Sequence, residues 1–340
     1  MDESEGTAMK SWHLVADIGG SNARFAVADT VDDALHDSRT YAVSGYPALS
    51  DALSEFVKEI AGLGWASRPN AACFALACPV EHDVVAFTNS DWVADRQALS
   101  AQLQGCPVEL INDFAAVGYA VTALDASDWV QLGGEKGKAN RPIAVLGPGT
   151  GLGVCSVIQN PSGTFVIEGE GGHADIAPVT DREVAVLRHM RARFGRVSIE
   201  RALSGDGLLN IYDALVEEAL PAVSSNEGSR DIRRYADPAG LTEAALGRTD
   251  PLAVTTVETF CEMLGAAAGN LALTLGAKGG VYIAGGIPPK ILPLLATSQI
   301  RDRFEDKGRF REYLAEIPLR VVIKEDLGLT GAASYLRLKS

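Results

Sequence analysis

The sequence predicts an α/β protein in which mixed β-sheets are covered by helices, and two observations support this fold class. Short apolar segments typical of buried strands alternate with segments whose apolar residues recur every three or four positions. In addition, an apolar strand, a glycine-rich turn and a second apolar strand occur twice, at 14–29 (LVADIGGSNARFAVAD) and 143–158 (IAVLGPGTGLGVCSVI). A repeat of this kind indicates two related halves.

Composition narrows the classes of function. The chain has 340 residues, 47% hydrophobic and 22% charged, which is typical of a globular protein with room for two domains. Its formal net charge of −14 argues against nucleic acid as a partner, because phosphate backbones require a basic face. No stretch approaches the roughly 20 apolar residues that span a bilayer, so we expect no membrane partner. The acidic start, MDESEGTAMK, is predicted to be a frayed tail and not a signal peptide.

The five cysteines are dispersed and form no CxxC pair. Their apolar surroundings predict reduced thiols in the core of a cytoplasmic protein and give no support to a zinc site.

The elements follow in chain order after the opening hairpin, whose strands are predicted at 14–18 and 25–28. Further strands are predicted at 40–44, 71–78, 84–89, 108–113, 143–158 (as a hairpin) and 279–284. Helices are predicted at 47–63, 93–103, 114–121 and 257–277. The polar, turn-rich segment 221–240 is predicted to be a surface excursion.

Three glycine turns follow apolar strands, and glycines allow a backbone to approach phosphate closely. They lie at Asp17–Ser21, Gly147–Gly151 and Ala284–Ile287. Three such turns, two on matching hairpins, favour nucleotide binding. None is a Walker A loop, since GGEKGK at 133–138 has the wrong spacing, and GPGTGLG leads into a strand where a dinucleotide fold requires a helix.

Several polar residues beside these strands admit a structural or a functional interpretation. Asp17 either caps local backbone amides or faces a cation held by a ligand. Asp113, after Asn112 at the end of a strand, either caps the following helix or acts as a general base. Asn112 could hold a neighbouring hydroxyl group. Glu170 and His173 flank two glycines on a loop, and Glu200 could be a solvated acid in the first turn of a helix.

Taken together, these residues suit a polyhydroxyl ligand, while the glycine turns suit a triphosphate. Transfer of a phosphoryl group from one to the other is the chemistry that uses both sets.

The motifs resemble those of the bacterial glucokinase family of the enterobacterial type. The resemblance rests on VADIGGSNARFAVAD, INDFAAVGYA, GPGTGLG, GEGGHADIAP, RVSIERALSGDGL, AGNLALTLGAKGGVYIAGGI and FEDKGRF, in order from about Leu14 to LGLTGAASYLR. A cysteine-rich zinc motif, present in the related repressor–kinase group, is missing from VTDREVAVLRHMRARFG. His173 is therefore expected to serve the sugar.

The resemblance implies a two-domain, actin-like (ribonuclease H-like) ATPase fold with an interdomain cleft that closes around the sugar. The implied domains are 1–122 with 324–340, whose C-terminal helix returns to the first domain, and 123–323. It further implies a cytoplasmic homodimer that phosphorylates glucose at its 6-hydroxyl with ATP and Mg²⁺, at the start of glycolysis.

The resemblance also implies the residue roles. Asp113 is the catalytic base, and it contacts glucose together with Asn112, Glu170, His173 and Glu200. Asp17 faces Mg²⁺, directly or through water. The implied ATP-binding residues are Ala16, Asp17, Ile18, Gly19, Gly20, Ser21, Gly149, Thr150, Gly151, Gly285 and Gly286.

Two alternatives remain open at this level. A kinase for fructose, mannose or an amino sugar would use the same chemistry, because the orientation of one hydroxyl decides specificity. A sugar-sensing regulator or an actin-like assembly protein could use the same fold without catalysis.

Overall fold

The computed structural model describes residues 9–32, 34–87, 90–219 and 235–339. Residues 1–8 of the predicted N-terminal tail and most of the predicted excursion at 221–240 lie outside these residues. Lys10, at the end of that tail, is not frayed, because it forms a β-bridge with Trp65. The chain divides into two compact units, Met1–Leu124 with Lys324–Ser340 (unit 1) and Asp125–Ile323 (unit 2).

Unit 1 contains a five-stranded mixed sheet of order β3-β2-β1-β4-β7 and a separate two-stranded ribbon, β5-β6. Its strands are β1 (Trp12–Ile18), β2 (Asn22–Asp29), β3 (Leu35–Ala42), β4 (Ala72–Leu76), β5 (Val84–Ala86), β6 (Val93–Asp95) and β7 (Val108–Asn112). Its helices are α1 (Leu49–Ile60), α2 (Arg96–Gln102), α3 (Asp113–Ala120) and α11 (Leu327–Lys339). β1 pairs antiparallel with β2 and parallel with β4, and β4 pairs parallel with β7.

Both faces of the unit 1 sheet are buried. Alternate residues of a strand point to opposite faces, and Leu14 and Val15 of β1 accordingly belong to different clusters of the core. One cluster packs under α1, and the other under α3 and α11. This two-sided burial explains why β1 and β4 are almost continuously apolar in sequence.

Unit 2 contains a six-stranded mixed sheet of order β11-β10-β9-β12-β13-β8. Its strands are β8 (Trp129–Gln131), β9 (Ile143–Pro148), β10 (Leu152–Asn160), β11 (Gly163–Gly169), β12 (Gly280–Ile283) and β13 (Leu319–Val322). Its helices are α4 (Asp181–Phe194), α5 (Gly205–Ala219), α6 (Pro238–Leu246), α7 (Pro251–Leu275), α8 (Leu292–Leu295), α9 (Ile300–Glu305) and α10 (Arg311–Ala315).

The two sheets share one pairing plan. In unit 2, β9 pairs antiparallel with β10 and parallel with β12, and β12 pairs parallel with β13, which matches β1, β2, β4 and β7 of unit 1. The two related halves predicted from the repeated hairpin are therefore confirmed, as are the mixed sheets of the predicted fold class.

Several predicted boundaries shift, and at two places the type of structure differs from the sequence prediction. Val93–Asp95 was expected to begin a helix, but these residues form β6, paired with β5, and Asp95 caps α2 by accepting hydrogen bonds from the amides of Gln97 and Ala98. The strand expected at 40–44 ends at Ala42, and Val43–Gly45 form a 3-10 turn. All five cysteines are buried, as predicted. Among the described helices, none is long and apolar enough to cross a membrane.

A buried ion pair of unit 2 is formed by Arg303, the residue that immediately precedes the FEDKGRF motif at 304–310. Arg303, on α9, donates to the Glu183 carboxylate of α4 at 2.7 Å, and both side chains are almost fully buried. Glu183 also accepts hydrogen bonds from the amides of Val179 and Thr180 at the start of α4. The Arg303–Glu183 pair therefore connects α9 to the loop that precedes α4.

Helices α3 and α11 of unit 1 pack backbone against backbone. A Cβ atom on Gly331 of α11 would lie 1.8 Å from the carbonyl oxygen of Ala116 in α3. We expect Gly331→Ala to lower the midpoint temperature of unfolding by about 4 °C or more, because the helices must separate to admit the methyl group. Gly45→Ala is the matched control, since a Cβ there meets nothing within 4 Å. Equal midpoints for the two variants would contradict this close packing.

Candidate functional site

The first glycine turn joins β1 to β2 at Gly19–Ser21. The Gly19 amide donates to the carbonyl of Asn22 at 2.9 Å, and the Ser21 carbonyl accepts from the Val43 amide at 2.9 Å. Gly20 and Ser21 are exposed. Their backbone is therefore accessible to a ligand while the turn itself is anchored on both sides.

Asp17 precedes this turn and pairs with a residue that the sequence prediction missed. It lies opposite Arg24 in the β1–β2 register, and the Arg24 guanidinium donates to its carboxylate at 3.2 Å. The hairpin register could have identified this pair, because residues equidistant from the turn face each other. The cation beside Asp17 in the protein itself is thus an arginine of the same hairpin.

The environment of Asp17 resists ionisation. Burial raises the pKa of the Asp17 carboxyl, the Arg24 guanidinium lowers it, and the nearby Asp326 carboxylate raises it. The first turn of α11 also lies against this side chain, since a Cβ on Gly328 would come within 2.6 Å of the Asp17 Cγ. A divalent cation beside this mostly buried carboxyl would stabilise its ionised form and offset the free-energy cost of its desolvation.

Asn112 and Asp113 lie at the junction of β7 and α3. One of the two interpretations of Asp113 was that it caps α3. This interpretation is wrong, because Asn112 is the cap. Its side-chain oxygen accepts from the amides of Phe114 and Ala115 at 2.9 and 3.1 Å. Its amide nitrogen donates to the carbonyl of Cys78 at 3.3 Å.

Asp113 is consequently the first residue of α3, and its carboxylate accepts from the Phe114 amide at 2.8 Å. It also lies near Cys78, since burial and then the Asp113 charge raise the pKa of that thiol. The carboxyl ends of β1, β4 and β7 share one edge of the sheet, where Ile18 pairs with Leu76 and Leu76 with Asn112. The structure therefore brings Asp17, Asn112 and Asp113 to one edge of unit 1.

A 3-10 turn, Gly171–His173, follows β11. Glu170 immediately precedes this turn, and His173 is its last residue. Both side chains are more than half exposed, and His173 Nε2 lies 3.9 Å from Glu170 Oε2. The turn packs on β10 so closely that a Cβ on Gly172 would lie 2.2 Å from the Leu152 carbonyl oxygen. Glycine is thus required for two exposed polar side chains to be presented from a fixed turn.

Glu200 lies on a loop that is hydrogen-bonded to the loop carrying His173. The bridge between Asp175 and Ser198 and the hydrogen bond from the Ile199 amide to the Ala174 carbonyl, 2.8 Å, join the two loops. Glu200 lies in a 3-10 turn, Ile199–Arg201, and its carboxylate accepts from the Leu152 amide at 2.9 Å. The expectation of a solvated helix acid is therefore wrong.

A second residue missed by the sequence prediction supports the His173 loop. Arg196 donates to the His173 carbonyl at 2.8 Å and pairs with Asp175 at 2.7 Å. No spacing in the sequence distinguishes this arginine from its solvated neighbours.

The other two glycine turns lie side by side in unit 2. Gly149–Gly151 join β9 to β10, and Gly285 follows β12, the parallel neighbour of β9. Gly285 has a φ of 85° and comes so close to β9 that a Cβ would lie 2.4 Å from the Pro148 carbonyl oxygen. A Cβ on Gly151 would lie 2.6 Å from Glu200 Oε2. Unit 2 therefore places the two glycine turns next to each other, and the Gly149–Gly151 turn lies against Glu200.

Among the residues that the structure describes, no group of three or more His, Cys, Asp or Glu side chains could hold a metal ion.

The duplicated mixed sheets, each with a glycine hairpin at its centre, define the actin-like ATPase fold of sugar kinases. A crystal structure of a glucokinase from an Antarctic psychrotroph aligns with a TM-score of 0.83 at 31% identity, over 96% of this chain and 98% of that one. A glucokinase of the ROK family from Streptomyces griseus, solved with glucose and AMPPNP, aligns with a TM-score of 0.62 over 96% and 99% of the chains. At 21% identity, this second match shows the fold alone.

The chain belongs to the glucokinase family, whose sequence profile matches residues 14–339. The glucokinase of Tolumonas auensis is 40% identical over 326 residues, which cover 96% of this chain and 97% of the relative. The resemblance drawn from the sequence motifs is therefore confirmed.

Proposed function

We propose that this protein transfers the γ-phosphoryl group of ATP to the 6-hydroxyl of glucose, giving glucose 6-phosphate and ADP. The observation that carries the proposal is the cluster in unit 2, where Glu200 contacts the Gly149–Gly151 turn and the Gly171–His173 turn packs on the adjoining strand. Hydroxyl-binding side chains and phosphate-binding backbone thus share one short stretch of sheet. Membership of the glucokinase family supports glucose as the sugar.

Asp113 is the proposed general base. Its carboxylate accepts the proton of the 6-hydroxyl while that oxygen forms a bond to the γ-phosphorus, and the bond from phosphorus to the β,γ-bridging oxygen breaks to release ADP. The helix-capping bonds of Asn112 hold the start of α3, which fixes the position of Asp113. Asn112, Glu170, His173 and Glu200 bind the sugar hydroxyls in this proposal, and orientation supplies much of the rate.

Backbone groups of the glycine turns hold the ATP phosphates. The set comprises Ala16, Asp17, Ile18, Gly19, Gly20 and Ser21 of unit 1 and Gly149, Thr150, Gly151, Gly285 and Gly286 of unit 2. Asp17 would hold Mg²⁺ directly or through water, in the environment described above. When bound, the metal ion neutralises charge on the phosphates. We further propose that the protein works as a cytoplasmic homodimer at the start of glycolysis.

A coupled assay with ATP and Mg²⁺ tests the proposal over glucose, fructose, mannose and N-acetylglucosamine, with sugar-free ATPase activity as background. We expect glucose to give a kcat/KM at least about tenfold above the other sugars, because one misplaced hydroxyl leaves a polar group of the site unpaired. A preference for another hexose would support the same mechanism with a substrate other than glucose. Absence of turnover with every sugar would refute the kinase proposal.

A further inference from the structure

Glu200 contacts the protein at a point that sugar binding alone does not require. Its Oε2 atom accepts the Leu152 amide at 2.9 Å and occupies the space where a Cβ on Gly151 would lie, 2.6 Å away. Leu152 is the first residue of β10, immediately after the glycine turn. A proposed sugar ligand is therefore also the side chain against which the proposed phosphate turn is built.

The turn has few other fixed points within unit 2. The Gly149 amide donates to the Gly151 carbonyl at 2.8 Å, and the Gly149 carbonyl accepts from the Gly205 amide at 2.9 Å. A Cβ on Gly149 would meet nothing within 4 Å, so one end of the turn is open while the other lies against Glu200. The Glu200 carboxylate thus positions the Gly151 end of the turn together with the β9–β10 pairing of Leu152 with Pro148.

The backbone of Glu200 cannot easily follow a displaced side chain. The Ile199 amide is bonded to Ala174, and the Ala202 and Leu203 amides both donate to the Ile199 carbonyl, at 3.0 and 2.9 Å. Ala202 and Leu203 are buried. Because the backbone is fixed, a change in the carboxylate is transmitted to the turn.

From these contacts we propose that Glu200 couples glucose binding to ATP binding by positioning the Gly149–Gly151 turn. Oε2 holds the turn, and Oε1 accepts a glucose hydroxyl. Glucose restricts the rotation of the carboxylate and so orders the turn for the phosphates, and bound phosphates assist glucose by the same factor, since coupling between two sites is reciprocal. This inference rests on the proposed function and adds a positioning role to a proposed sugar ligand.

The first test compares two alanine substitutions in one turn. Glucose affinity is measured by calorimetry without nucleotide for the wild type, Gly151→Ala and Gly149→Ala. We expect Gly151→Ala to weaken glucose binding about tenfold or more, because its methyl group displaces the Glu200 carboxylate. Gly149→Ala should stay within about twofold of the wild type, since its methyl group enters open space. Equal glucose affinities for the two variants would overturn the inference.

The second test examines nucleotide binding in the absence of sugar. We expect Glu200→Ala to weaken binding of AMPPNP with Mg²⁺ about fivefold or more, because the turn loses its anchor. Glu200→Gln, which retains an oxygen for the Leu152 amide, should restore most of this affinity. In the wild type, saturating glucose should tighten AMPPNP binding about fivefold or more, and in Glu200→Ala by less than about twofold.

Unchanged AMPPNP affinity in Glu200→Ala would show that Glu200 serves the sugar alone and would overturn the coupling role. That outcome is distinct from failure of the proposed function. In the first case the wild type phosphorylates glucose normally, whereas in the second it phosphorylates no hexose although the sugar-free nucleotide measurement can still be made.

Discussion

We expect Asp113→Asn to lower kcat by about a thousandfold or more, while the affinity for glucose stays within about tenfold of the wild type. General base catalysis by a carboxylate contributes about 10² to 10⁴ in rate, and an amide cannot accept the hydroxyl proton. An amide can still bond to a sugar hydroxyl, so binding is expected to survive. Steady-state kinetics for kcat and calorimetry for glucose affinity provide the two measurements.

The local structure makes this substitution conservative. Asn has the shape of Asp and retains an oxygen that can accept from the Phe114 amide, as Asp113 does at 2.8 Å. The helix cap belongs to Asn112, so it is not altered by the change. A loss of kcat in Asp113→Asn would therefore report on the carboxylate chemistry and not on the start of α3.

Asp95→Asn is the matched control in the same unit. Asp95 accepts from the amides of Gln97 and Ala98 at the start of α2, and Asn is an equally good residue at that position. We expect its kcat to equal that of the wild type. If Asp113→Asn kept more than a tenth of the wild-type kcat, another group would have to accept the proton. An assembly protein without catalysis would be indifferent to both substitutions.

The central strands and the duplicated hairpin could be predicted from sequence because they depend on local composition, whereas β8, β11 and β13 were not predicted. β1 and β4 are buried on both faces and read as continuous apolar runs, and the glycine turns stand out between such runs. Short β6 is different, because it has only three residues and runs directly into α2. The helical spacing of apolar residues over 93–103 therefore predicts a helix where residues 93–95 form β6, which is stabilised by pairing with β5.

The partners of the candidate residues could not be predicted in the same way. Glu200 bonds to Leu152, 48 residues away, through a contact that depends on the absence of a side chain at Gly151. Gly328 is adjacent to Asp17 only because α11 packs on β1 within unit 1. Residue type and spacing identify which side chains are chemically useful, whereas the contacts that orient them are set by tertiary packing.

Asp17→Asn should abolish most activity and yet leave the ligand-free protein at least as stable as the wild type at pH 7. Activity falls because the amide loses the charge that would balance the metal ion on ATP, and we expect kcat/KM to decrease about a hundredfold or more. Stability behaves differently, because burial raises the pKa of Asp17 more than Arg24 lowers it. Ionisation of this carboxyl is less favourable in the folded protein than in the unfolded chain, and the Asn variant avoids this cost.

The pH dependence of this difference has a definite sign. A carboxyl whose pKa is raised on folding binds its proton more tightly in the folded state, so it reduces stability as pH rises from its ordinary value of 3.8 through the raised pKa. The advantage of Asp17→Asn should therefore grow as the pH rises above 3.8 towards the raised pKa, and should shrink as the pH falls back to 3.8. Thermal unfolding without nucleotide, measured from pH 8 down to about pH 4, follows this trend.

Arg24→Gln should change stability in the opposite direction from Asp17→Asn. It leaves the Asp17 carboxylate buried without its 3.2 Å partner, so this variant should unfold at a lower temperature than the wild type at pH 7. Combining it with Asp17→Asn should recover most of the loss, because the two residues interact directly. If Asp17→Asn were instead clearly less stable than the wild type at pH 7, the ion pair with Arg24 would outweigh the cost of burial. Asp17 would then be a carboxylate kept for stability, whereas a protein that gains stability and loses turnover without it keeps Asp17 for its ligand.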